Sequence, residues 1–172
     1  MQALAVICPL VITATDRTWI EDLRAQHDPL HDLVEAHFTL VFPITGVGLA
    51  TMATHVDQIA KRTPSVGFRL SRAQGVRDSL APRSHVFLVP DVGDAEIRAL
   101  HSMLYAGDLA SSLRADIPYQ PHVTVAAFET QSAAEGLARD LGEFQIEGRL
   151  QALALVSVGK AEIRREGVFP LI

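Results

Sequence analysis

The chain has 172 residues, 48% of them hydrophobic and 20% charged, a length for one domain or two small lobes sharing a core and a composition too apolar for disorder. A formal net charge of -5 argues against gripping long duplex nucleic acid, which needs several phosphates neutralised by Lys and Arg, yet leaves room for a small anionic ligand in a local pocket. The single cysteine, Cys8, excludes an intrachain disulfide and cysteine-rich zinc sites.

The apolar run 3–12 predicts a buried opening strand, with Pro9 implying an edge or a bulge and Cys8 a buried thiol. It is about half the length a membrane span needs, and no Lys or Arg precedes it, so the expectation is a cytoplasmic protein without membrane or signal segment. Thr15 or Asp16 can cap a helix reaching Gln26, with Trp19, Ile20 and Leu23 inward. Residues 27–35, broken by Asp28-Pro29, read as loop, and 37–44 read as strand. After Gly46-Val47-Gly48, the spacing of Leu49, Met52, Val56 and Ile59 predicts a helix toward Arg62.

Residues 66–74 alternate as a strand, 75–83 carry turn signals and 84–89 form another strand. A third helix starts after Asp91 or Asp94, turns Ile97, Leu100 and Leu104 inward and stops by Gly107. Residues 111–120 are irregular and 122–128 are strand. Ser132 with Glu135 fits a capping box opening a helix that ends near Gly142. Residues 144–158 and 161–169 read as closing strands around a Gly159-Lys160 turn. No Gly/Ser linker divides the chain, so 1–172 reads as one unit. Both halves carry a strand opening with His-x-Thr, a short break and an amphipathic helix. That echo predicts two related lobes in an α+β arrangement rather than a doubly wound sheet.

The echoing segments are His37-Phe38-Thr39-Leu40 and His122-Val123-Thr124-Val125. Side chains alternate along a strand, so each segment buries an apolar face and presents an imidazole beside a hydroxyl, about 7 Å apart. Two such matches among the seven histidines would appear in roughly one shuffled chain in a hundred, so the pair carries weight that one copy would not. Opening a cyclic phosphodiester needs one group to take a proton from water and another to protonate the departing ribose oxygen. Histidine, titrating near neutrality, does either without a metal, and threonine hydroxyls can donate to the non-bridging oxygens.

On these two motifs, with Phe42-Pro43 after the first and Pro121 before the second, the chain resembles the 2H phosphoesterase superfamily, which includes the bacterial 2′–5′ RNA ligase-like proteins. The resemblance implies a single bilobal domain over 1–172: two pseudo-symmetric lobes, each an antiparallel-rich sheet with outer helices, around a central cleft. It implies His37 and His122 as the acid–base pair and Thr39 and Thr124 as phosphate-binding residues. The activity it implies is hydrolysis of 2′,3′-cyclic phosphates on small nucleotides or RNA ends, with reversible 2′–5′ ligation as a side activity. The competing reading is a non-catalytic nucleotide or RNA-end binder that keeps the cleft.

Phe42 and Tyr119 flank the motifs and are candidate substrate contacts, able to stack on a base. His27, His31, His55, His85 and His101 lack a threonine two residues on and read as surface or core histidines. The spacing of His27 and His31 suits metal ligands on a helix, but Pro29 interrupts them, so no metal or other cofactor is expected. Arg62, Arg69, Arg72, Arg77 and Arg83 form a basic stretch read mainly as a solvated strand face.

Overall fold

The computed structural model describes residues 2–172. Its strands are β1 (Ala3–Pro9), β2 (His37–Ile44), β3 (Val66–Arg77), β4 (Ser84–Val92), β5 (Val123–Phe128), β6 (Ile146–Leu150), β7 (Ala152–Val158) and β8 (Ile163–Pro170). The helices are α1 (Ala14–His27), α2 (Leu49–Ala60), α3 (Asp94–Leu104) and α4 (Gln131–Asp140), with a short 3₁₀ turn at Gly107–Ser112.

The fold is α+β, and its strands form one eight-stranded sheet in the order β6-β3-β4-β5-β2-β1-β7-β8. Every pairing is antiparallel. The two expected lobes are thus the two halves of a continuous sheet, and the His-x-Thr strands β2 and β5 adjoin at its centre. The chain order β1-α1-β2-α2 recurs as β4-α3-β5-α4. The helices cross over: α1 packs on β5 and α3 on β2, while α4 covers β3 and β4 and α2 lies against β7 and β8.

Alternation along the strands decides what each face carries. Phe38, Leu40, Val123 and Val125 join Leu4, Val6 and Cys8 in the helix-covered core. Phe38 meets Phe68 edge-on at 5.3 Å between ring centres. The opposite face holds only a small apolar cluster, Ala5, Ile7, Ala154 and Val156, with Val34 packed against it. The motif side chains lie on that second face. Cys8 is buried as expected, its Sγ donating to the Ala152 carbonyl, and burial pushes its thiol up to about 12.

Several boundaries differ from the sequence expectation. The opening strand ends at Pro9 and lies inside the sheet, not at an edge. Pro9 is its last residue, where a missing N–H interrupts little of the ladder, and the irregularity sits earlier, between Leu4 and Ile7. Thr13, not Thr15 or Asp16, caps α1 by accepting from the Asp16 N–H. Thr130, not Ser132, caps α4, and Glu135 accepts instead from Gln131. Leu49, expected inward on α2, is exposed.

Gly75 does not begin a turn. It lies within β3, where a Cβ would come within 2.5 Å of the Glu135 backbone nitrogen, so its bare Cα lets α4 approach the sheet. Gly93 caps α3 with φ at 86°, a conformation glycine adopts without strain. Residues 144–158, read as one strand, divide at Gln151 into β6 and β7, which lie far apart in the sheet order. Sheet curl explains this: Val11, just beyond β1, bridges back to Arg149 of β6.

Candidate active site

Strands β2 and β5 pair at Phe38↔Val123. Extending that register by one residue each way sets His37 across from Thr124 and Thr39 across from His122, all on the open face. Directly opposed residues are about 5 Å apart at Cβ, and the motif partners along each strand about 7 Å apart. Four polar side chains therefore occupy the corners of a small patch, the imidazoles on one diagonal and the hydroxyls on the other. The row continues through Pro9 beyond His37, and through Phe87 and Gln74 beyond Thr124.

Both imidazoles are held alike. His37 Nδ1 lies 2.7 Å from the Glu35 carbonyl oxygen and His122 Nδ1 lies 2.7 Å from that of Gln120. A carbonyl can only accept, so each Nδ1 carries the hydrogen and each Nε2 presents a lone pair. Neither Nε2 nor either threonine hydroxyl has a hydrogen-bond partner among the described residues, and none of these atoms is sealed from solvent. Each ring can then take a proton at Nε2 without losing its anchor.

The electrostatics favour neutral rings in the free protein. Burial lowers the His37 pKa against the opposing Glu35 carbonyl bond, and the Arg24 charge adds to the lowering. Burial likewise lowers His122 to about 4, opposed by the Gln120 carbonyl and assisted by His37 and His85. An anion placed between the rings would push both back up.

The two flanking aromatics differ in role. Phe42 is exposed beside the motif, its ring edge-on to Tyr119 at 6.4 Å. Tyr119 is a brace: His101 stacks on one face at 3.7 Å, and its hydroxyl donates to the Thr39 carbonyl at 2.9 Å. His101 in turn bonds the Leu40 carbonyl, so both make the rear support of β2.

Sequence reasoning overlooked Phe87, whose ring stacks on His122 at 3.6 Å and faces His85 beyond at 6.0 Å. Its alternation with His85 on one strand was the available signal. It also overlooked Arg24, which is buried, as its place one helical turn after the inward Ile20 dictates. His27 closes α1 against Phe128, while His31 lies in the following loop beside Asp32 and Glu21. No three His, Cys, Asp or Glu side chains group as metal ligands among the described residues. Of the basic stretch, Arg69 pairs bidentately with Asp91, and Arg83 lines an open cavity of about 700 Å³ bordered by His27, Pro29 and Phe128. No helix among the described residues is long and apolar enough to cross a membrane.

A duplicated His-x-Thr element at the centre of a curled antiparallel sheet defines a 2H phosphoesterase architecture. Residues 13–162 match the 2′-5′ RNA ligase superfamily, and the chain belongs to it. Among solved structures, TT0787 of Thermus thermophilus superposes with a TM-score of 0.68 at 16% identity, covering 98% of this chain and 97% of that one. Escherichia coli LigT complexed with NADP+ gives 0.59 at 18% identity, with 99% and 98% covered. Usb1 of Kluyveromyces marxianus gives 0.62 at 11% identity, with 98% of each chain covered. At these identities the likeness is one of fold. No curated protein matches the sequence.

Proposed function

We propose that the protein is a metal-independent phosphodiesterase that hydrolyses 2′,3′-cyclic phosphates of small nucleotides or RNA ends, with reversible 2′–5′ ligation, in which a 5′-hydroxyl takes the place of water, as a side activity. The observation that carries this reading is the diagonal pair of imidazoles, both with Nδ1–H tied to a peptide carbonyl and Nε2 open. One neutral Nε2 removes a proton from water as its oxygen bonds to phosphorus. The other imidazole, protonated at Nε2, gives its proton to the ribose oxygen as the P–O bond breaks. One proton enters the pair and one leaves, so the products depart with the pair's charge unchanged. Thr39 and Thr124 donate hydroxyl hydrogens to the non-bridging oxygens as charge accumulates there.

The lowered pKa values fit this scheme, because the substrate's own charge raises one imidazole to the protonated form it needs. Structures of Escherichia coli LigT, similar in fold, are complexed with 3′-AMP, ATP and phosphate, which supports a nucleotide-sized phosphate ligand here. The test is incubation with 2′,3′-cyclic mononucleotides in EDTA. Linear monophosphate product is expected. Saturable binding without product would instead establish a nucleotide binder that keeps the cleft.

A further inference from the structure

An imidazole anchored to a peptide carbonyl is only as fixed as that peptide, and both anchoring peptides lie in irregular chain ahead of their strands. Such segments are mobile by default unless side chains pin them. In the first half, Arg24 of α1 donates from Nη2 to the Val34 carbonyl at 2.8 Å and from Nε to Asp28 at 2.8 Å. Its Nη1 bonds Glu21 at 3.0 Å, and Glu21 accepts the Ala36 N–H at 2.9 Å. The residues on either side of Glu35 are therefore both held.

The second half repeats the device. Arg98 of α3 donates from Nη1 to the Tyr119 carbonyl and from Nε to Asp94 at 2.6 Å. Tyr119 precedes Gln120 as Val34 precedes Glu35, so each gripped carbonyl stands three residues ahead of its histidine. The helices α1 and α3 occupy equivalent places in the repeated β-α-β-α order. A guanidinium suits the task because its planar fork can hold a carbonyl and a carboxylate at once.

We propose that Arg24 and Arg98 are a duplicated pair of positioning residues, each gripping the carbonyl three residues ahead of one motif histidine and so fixing the peptide that holds that histidine's Nδ1–H. Neither touches the reacting atoms. Each acts by keeping Nε2 bare and aimed, as the orienting partner of a catalytic base does. The consequence for turnover rests on the paired-imidazole reading above, whereas the consequence for ring tautomer does not.

The experiment is long-range 1H–15N correlation on full-length protein labelled at histidine, which reports the tautomer of each ring. Wild type should show Nδ1–H at both His37 and His122. Arg98 is exposed, so Arg98→Ala should fold, as circular dichroism would confirm, and should convert His122 alone to a tautomer mixture. Its kcat should fall about tenfold with KM within about twofold, the mark of misaligned chemistry rather than lost binding. Arg24→Gln should do the same to His37 alone; should that variant fail to fold, Arg98→Ala decides. Arg164→Ala, which removes an exposed ion pair elsewhere, should change neither ring. A wild-type tautomer at His122 in Arg98→Ala, or equal disturbance of both rings, overturns the proposal. Because the spectra need no substrate, absence of turnover in wild type would refute the phosphodiesterase reading alone.

Discussion

The supports of the two motif histidines share one backbone geometry and differ in what builds it. Around His37 the support is ionic and enclosed: Arg24 is 1% exposed, sits between Glu21 and Asp28, and lies behind a loop whose Val34 seals the apolar cluster on the open face. Around His122 it is aromatic and nearer the surface, with Phe87 stacked on the ring, Tyr119 braced by His101, and Arg98 45% exposed. The floor differs in the same sense, since Thr39 neighbours Ile7 while Thr124 neighbours Phe87. A reaction centred on phosphorus asks for symmetry only at the atoms that touch it. The Nδ1–H bonds, the free Nε2 atoms and the arginine grips behind them repeat, and the packing around those grips was free to diverge.

The strongest way to sharpen that contrast is to remove each arginine. Arg24→Ala leaves two carboxylates facing an unfilled interior and should cost about 3–5 kcal/mol in urea denaturation. Arg98→Ala should cost under about 1 kcal/mol. Equal losses would erase the distinction between the two supports. Next in size, His37→Ala and His122→Ala should each reduce turnover at least about a hundredfold, the usual worth of a general acid or base. Undiminished turnover in either variant would remove that residue from the mechanism and break the symmetry at its centre.

A smaller effect concerns pH. Both histidines have lowered pKa values when folded, so between the ordinary value of 6.5 and His122's value of about 4 the unfolded chain binds more protons. Stability is therefore complete above pH 6.5 and declines as pH falls toward 4. Thermal melts of His122→Asn should show a flatter acid limb than wild type. Smallest of all, Thr39→Val and Thr124→Val should each weaken inorganic phosphate binding several-fold with the melting temperature nearly unchanged. A large difference between them would place the anion nearer one strand.

What could be read in advance follows from the reach of each interaction. Alternation and helical spacing are local, so β2, the inward face of α3, that of α2 apart from Leu49, and the two His-x-Thr pairs were all visible along the chain. The cap at Thr13 in place of Thr15 was within local reach too, but several neighbouring hydroxyls compete there and packing chose among them. Gly75 reads as a turn unless the approach of α4 is known, and that helix lies more than fifty residues later. The grip of Arg98 on Tyr119 and the stack of Phe87 on His122 depend on which strands become neighbours. Composition and period carry no such information.

The split at Gln151 bears on how the molecule admits a ligand. One residue carries the chain from β6, at one margin of the sheet, to β7 near the other, and the Val11–Arg149 bridge ties the same region. A clamshell motion about the central β2–β5 seam would have to stretch a single-residue tether. The halves are thus hooped together like staves. A ligand therefore enters and leaves at the open face without the halves parting, and relaxation-dispersion signals should be absent across the seam.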